Sequence, residues 1–256
     1  MAGSLLTQAL AVILISHAAP AAGAPPLRYG DHLLEAALKR HPEAMRIVVS
    51  ARARDGARID LAAGPAAGAG CLVSLELDDA MRTPIGTIDV TLRPHRKAPA
   101  AAAVARYVSR RIFAADNLRE PDPYVAGAPP APLARRLVER TVDSADDLVT
   151  LAFHVRPPGS DTNRIVASNF GRIGKAADAD DLRVERGETL REVTNGGLRL
   201  AVSLPLTDRE GRTVGALSAS FLVDPGRGEQ TAYRRAFELR EALARQIPSL
   251  AALFRR

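Results

Sequence analysis

Tryptophan is absent from the 256 residues, aromatic side chains make up only 4% of them, and cysteine occurs once. Hydrophobic cores must therefore be aliphatic, and an aromatic platform for stacking bases or sugar rings is not expected. A single thiol excludes an intramolecular disulfide, which leaves stability to packing alone. Cys71 heads the apolar alternation Cys71, Val73, Leu75, Leu77, a pattern that predicts a buried small hydrophobe rather than a reactive thiol. No stretch approaches the roughly 20 consecutive apolar residues of a membrane helix, so no span is expected. The chain carries 35 Lys and Arg against 29 Asp and Glu, a net charge of +6. These charges are interspersed, without the like-charge runs or spaced basic patch of a polyanion binder, so nucleic acid is not expected as a partner.

Catalytic signatures are missing as well. There is no Gly-x-Ser-x-Gly elbow, no His-Glu-x-x-His, no phosphate loop and no Gly-x-Gly-x-x-Gly; enzymatic activity and a cofactor are not expected. The histidines His17, His32, His41, His95 and His154 are solitary, and ligand sets for a metal need spaced partners. His154 alternates with Phe153 and Val155, which reads as a hydrogen-bonded structural histidine on a strand. Asp178, Asp180 and Asp181 lack the spacing of a calcium loop and read as the solvated start of a helix.

What the sequence does contain begins with an apolar run, Leu5 to Ile15, followed by the small residues Ala18 to Ala24. That order predicts a signal peptide over residues 1–24, cleaved after Ala18, Ala21 or Ala24, and a periplasmic or secreted mature chain. The length accommodates two modest domains.

An internal repeat organises the rest. Leu72 to Leu92 aligns without a gap onto Ala201 to Phe221, with identities at Val73/Val202, Ser74/Ser203, Leu75/Leu204, Leu77/Leu206, Asp79/Asp208 and Gly86/Gly215. Such a match points to duplication of one structural unit. Each copy reads as a β-hairpin, with Thr207 to Gly211 supplying turn chemistry in the second. Upstream strand pairs fall at Met45–Arg54 with Arg58–Ala62, and at Leu148–Arg156 with Arg164–Ser168. Helices are predicted before each copy, one capped by Asp31 and one from Pro132 to Val142, and after each, over Ala100–Phe113 and Glu229–Gln246. The fold class is thus α+β, two tandem units of an antiparallel sheet flanked by helices. The first unit spans 25–118 and the second 133–256, with a semi-stiff proline-rich linker over 119–132.

The segment Asn163-Arg-Ile-Val-Ala-Ser-Asn-Phe-Gly-Arg-Ile-Gly174, the Asp-rich stretch to Gly187, and Leu204-Pro-Leu-Thr-Asp-Arg-Glu-Gly-Arg-Thr-Val-Gly-Ala-Leu217 resemble the PAS-like Cache (PDC-type) extracytoplasmic sensor domains. The likeness covers most of residues 145–223 and, more faintly, 45–92. It implies a small-molecule pocket on one sheet face and signal transmission to a membrane partner, here a separate sensor or transporter because no membrane helix follows Gln246. In that family the middle segment walls the pocket. The short link Gly64 to Gly70 leaves the first unit without a wall, as a scaffold, whereas Asn169 to Gly197 gives the second unit one.

Alternation sets Leu200, Val202, Leu204 and Leu206 on one face of their strand and Arg199, Ala201 and Ser203 on the other, while Ser218 and Ser220 oppose Leu217, Ala219 and Phe221. The second face is either solvated or roofed by residues 169–197. If roofed, Asn169, Arg199, Ser203 and Ser218 are the ligand-binding residues, and Arg199 favours a small anionic molecule such as a carboxylate. Two other readings remain: a ligand-free assembly protein docking through Phe237, Leu239, Leu243 and Ile247 of its C-terminal helix, although such a stripe is more often core packing, and an uncharacterised enzyme.

Overall fold

A computed structural model describes residues 27–66, 69–223 and 228–255; the predicted signal peptide lies outside them. The first unit opens with helix α1 (Tyr29–Arg40), then strands β1 (Ala44–Arg52), β2 (Arg58–Ala63), β3 (Cys71–Asp78) and β4 (Pro84–Leu92), and helix α2 (Ala98–Ser109). The second contains α3 (Pro132–Ser144), β5 (Leu148–Val155), β6 (Arg164–Ser168), α4 (Ala179–Glu185), β7 (Leu190–Thr194), β8 (Arg199–Thr207), β9 (Thr213–Leu222) and α5 (Gly228–Ala244). The described residues thus form an α+β structure with five α-helices and two antiparallel sheets, ordered β2-β1-β4-β3 and β6-β5-β9-β8-β7. Asp31 does not cap α1 as expected. The helix starts at Tyr29, and Asp31 sits in its first turn, where its carboxylate favours the positive helix end and accepts from the Arg28 amide at 3.3 Å.

The two sheets have the same order once β7 is set aside, and the repeated hairpins have the same register. Val73 faces Val90, Leu75 faces Ile88 and Leu77 faces Gly86; their counterparts pair as Val202 with Ala219, Leu204 with Leu217 and Leu206 with Gly215. Both ladders then shift before the turn. The turns match too: Asp79 Oδ1 accepts from the amides of Met81 (2.8 Å) and Thr83 (3.0 Å), and Asp208 Oδ1 from those of Glu210 and Arg212 (3.0 Å each). Glycine is needed at 86 and 215 because the neighbouring strand passes so close. A Cβ there would lie 2.0 Å from the Ser50 carbonyl oxygen and 2.2 Å from that of His154.

Each sheet buries one face beneath helices. In the first unit, Ile47, Val49, Ile88 and Val90 pack with Leu34 of α1 and Val104 of α2. In the second, Leu151, Phe153, Leu204 and Phe221 pack with Leu137 of α3 and Leu243 of α5. On the opposite face of the first sheet Ser74, Glu76 and Thr87 are exposed, while Thr91 is covered. Cys71 is exposed, which corrects the expectation of a buried thiol. It begins β3, an edge strand with no further strand outside it, and only Leu77 on that strand is fully covered. The proline-rich segment is strapped down rather than free. Tyr29 N donates to Glu120 O (2.7 Å), Asp122 N to Leu27 O (2.9 Å), and Val125 N to Ile173 O (3.4 Å). No helix among the described residues is long and apolar enough to cross a membrane.

Candidate functional site

The second sheet, unlike the first, is covered on its small polar face. Of residues 169–197 it is α4 that lies over β8 and β9, whereas β7 joins the sheet itself as an edge strand. Asp178 starts the helix as an N-cap, its side chain accepting from the amides of Asp180 and Asp181 at 3.0 Å. The acidic cluster is therefore a helix start, but Asp181 is turned inward and is only 9% exposed. Val184, one turn on, is fully buried.

Beneath α4 a chain of polar groups runs across three strands. Ser203 Oγ on β8 and Ser218 Oγ on β9 are 3.2 Å apart, and Ser218 Oγ donates to Asp181 Oδ1 at 3.4 Å. Asp181 Oδ2 lies 2.9 Å from Nδ1 of the buried His154 on β5. The angle there falls short of a hydrogen bond, so the contact is an electrostatic one. Burial pushes the Asp181 carboxyl up, but His154, the Asp178 amide and Ser218 outweigh it and hold the group below the usual carboxylate range. A second tie joins α4 to the residue that follows β5, with Arg156 Nε and Nη2 on the Glu185 oxygens at 2.9 and 3.0 Å. In this order the serine meets the carboxylate and not the imidazole, so the groups do not form the relay that would activate Ser218 as a nucleophile.

Of the sequence-predicted site residues, only Ser203 and Ser218 come together. Asn169 is 5% exposed and has no side-chain atom to spare: Oδ1 accepts from Leu151 N at 2.8 Å, and Nδ2 donates to Val149 O at 3.0 Å and Arg110 O at 2.9 Å. It is a positioning residue for the backbone, and not part of a pocket wall. Arg199 does share a face with Ser203 but stands four residues away at the start of β8, where its guanidinium carbon lies 5.0 Å from the centre of the Phe113 ring of the first unit. The sequence reads His154 as structural and Asp181 as part of a solvated helix start, which the burial of Asp181 corrects; their pairing is not visible there, because nothing in the spacing places α4 over β5.

Arg199 instead belongs to the junction between the units. Four consecutive residues make much of that junction. Asn169 reaches the Arg110 carbonyl, Phe170 meets the Phe113 ring at 6.3 Å, Gly171 packs against the Tyr29 ring, and Arg172 pairs with Glu120 at 2.7 and 2.8 Å. The Tyr29 hydroxyl lies 2.8 Å from the carbonyl oxygens of both Arg111 and Asn169, and burial raises its pKa. Arg111 completes the seam by donating to Asp143 at 2.7 Å. Beside Arg199 the junction opens into a crevice of about 430 Å³.

No family model matches the chain, and no curated protein matches it. Among solved structures, PelD 158-CT from Pseudomonas aeruginosa PAO1 aligns over 87% of this chain and 79% of its own at 18% identity, with a TM-score of 0.25. The same PelD fragment in complex with c-di-GMP aligns over 86% and 79% at 18% identity, with a TM-score of 0.27. Superpositions that loose leave the fold and function of this chain to be read from its own residues.

Proposed function

We propose that this chain is an exported small-molecule-binding or sensing protein made of two PAS-like, Cache-type units. The second unit takes a small anionic ligand between α4 and the sheet, and the first is its scaffold. The observation that carries this reading is the difference between the two sheets: the same face is exposed at Ser74, Glu76 and Thr87 in one and roofed by α4 in the other, over four converging polar side chains. Small-molecule sites need few but directional polar groups.

Asp181 supplies the clue to the ligand. Its carboxylate rests against Ser218 and His154, the contacts that the acid group of an incoming molecule would take over. In the closed state the protein thus holds its own anion in place. When α4 lifts, a ligand carboxylate replaces Asp181, and its affinity is set by the difference between the two occupants. The pocket is masked until that exchange occurs, and occupancy is passed to a membrane sensor or transporter. The alternative, docking through the C-terminal helix, has less of its stripe to offer a partner. Leu243 and Ile247 are buried, and Phe237 and Leu239 pack against the same core.

Thermal unfolding of the chain from Leu27 onward, with organic acids, amines and nucleobases added in turn, tests the reading. A ligand at 100 times its dissociation constant adds about 2.7 kcal/mol. At least one organic acid is expected to raise the melting temperature, with the gain abolished in Ser218→Ala. Absence of any shift across the set would count decisively against the site. Fractionation of cells expressing the full chain tests export separately.

A further inference from the structure

The crevice at the junction draws on both units. Arg52, Arg54, Phe113 and Met81 come from the first, and Thr194 and Arg199 from the second. Among the described residues none of its three guanidinium groups has a carboxylate within ion-pair distance. Arg52 donates only to the carbonyl of Gly56, at 3.1 Å. Arg199 is half-buried, its Nε has no partner, and the nearby Thr194 Oγ1 is a second buried polar atom without one. Such groups cost free energy unless something satisfies them. The contrast with the rest of the junction is sharp, because Arg110, Arg111 and Arg172 all hold carboxylates there.

One acidic group, Asp79, also lines the crevice. Its Oδ1 is occupied by the hairpin amides of Met81 and Thr83. The equivalent residue in the other hairpin, Asp208, has its Oδ2 held by Arg212 at 2.7 Å. Thr83 takes the place of that arginine in the first unit, so Asp79 is a turn residue without its own cation. Three arginines and one carboxylate line the crevice; Glu192 acts on Arg199 from outside the lining, and Asp116 accepts from the Arg54 amide at 3.4 Å, but neither forms an ion pair with the three guanidinium groups. The walls between them are apolar, formed by Phe113, Ile85 and Met81. Arg199 already lies against the Phe113 ring, which holds its planar donor fork in a fixed orientation.

We propose that this crevice binds a small dianion, a phosphate monoester or a dicarboxylate, with its charged oxygens on Arg199, Arg52 and Arg54 and its apolar body against Phe113. Thr194 Oγ1 supplies a further donor. Arginine suits this work because its fork meets carboxylate and phosphate oxygens two at a time. The site is separate from the α4 face of the second sheet and does not depend on it. Because both units contribute arginines, the bound dianion also cross-links them.

Titration calorimetry on the chain from Leu27 onward decides the matter, using phenyl phosphate, phthalate and inorganic phosphate, with benzyl alcohol as the uncharged control. Phenyl phosphate or phthalate is expected to bind, and whichever binds more tightly identifies the phosphate or the carboxylate source. Arg52→Ala and Arg54→Ala, both at exposed positions, should each weaken that binding several-fold, and Arg199→Ala should weaken it at least tenfold. Arg199→Lys, which keeps the charge and guards against a folding defect, should retain part of it. Ser218→Ala should leave it unchanged, which separates this site from the one under α4. No binding of any dianion at millimolar concentration would overturn the proposal. So would equal affinity for benzyl alcohol, or affinity indifferent to all three arginine substitutions.

Discussion

Asn169 is the residue on which local order most depends, because one short side chain satisfies three backbone groups drawn from β5 and from the segment after α2. Removing it strands a buried amide, a buried carbonyl and the part-buried Arg110 carbonyl, and each unsatisfied buried group costs about 1–3 kcal/mol. Asn169→Ala should therefore lower stability by about 3 kcal/mol or more, read as a shift in the urea midpoint. Asp181 offers a pH test. Its folded pKa lies below that of an ordinary carboxylate, so its ionised form stabilises the fold at pH values above the ordinary one. That contribution is lost as pH falls through the depressed folded value. Stability measured from about pH 5 downward should show this loss in the natural protein, and Asp181→Asn should flatten that part of the curve.

At the scale of the element, the matched hairpins and α4 carry the argument. Gly86→Ala and Gly215→Ala each drive a Cβ into a neighbouring backbone carbonyl, which cannot move without breaking the ladder. Both should cost about 2–4 kcal/mol in chemical denaturation, and by similar amounts if the hairpins are equivalent. For α4, Val184→Ala removes two buried methyl groups from a short helix. Hydrogen exchange across residues 180–185 should accelerate by more than about tenfold while exchange in β5 and β9 changes little, since the loosened part is local. Hairpins and flanking helices are legible in the sequence, because alternation and turn residues carry that information. The position of a residue along a strand is not. Arg199 and Ser203 share a face by periodicity, but four residues at about 3.3 Å each separate them by roughly 13 Å. Cys71 was misread for a related reason: alternation marks a face, and an edge strand's end is uncovered even on its apolar side.

For the whole molecule, the junction determines whether two similar units behave as one. It is built from charged and aromatic contacts rather than from a shared core, and the two apolar clusters remain separate. The Tyr29 hydroxyl and the Arg111–Asp143 pair bridge the units, and Arg172 ties the second unit to Glu120 of the proline-rich segment. Calorimetry on the natural chain should give a single transition, whereas Tyr29→Phe combined with Arg172→Ala should broaden or split it. The segment Asn169 to Arg172 resembled a family strand end in the sequence and gave no hint of this bridging role, because its partners lie in the other unit. The exposure of Cys71 has a practical consequence. The chain's sole thiol sits on the outer lip of the first sheet, away from both α4 and the crevice. A maleimide dye will tag each molecule once, with no engineered cysteine. A second fluorophore installed on α4 would then turn lid opening into a change in energy transfer that can be followed molecule by molecule.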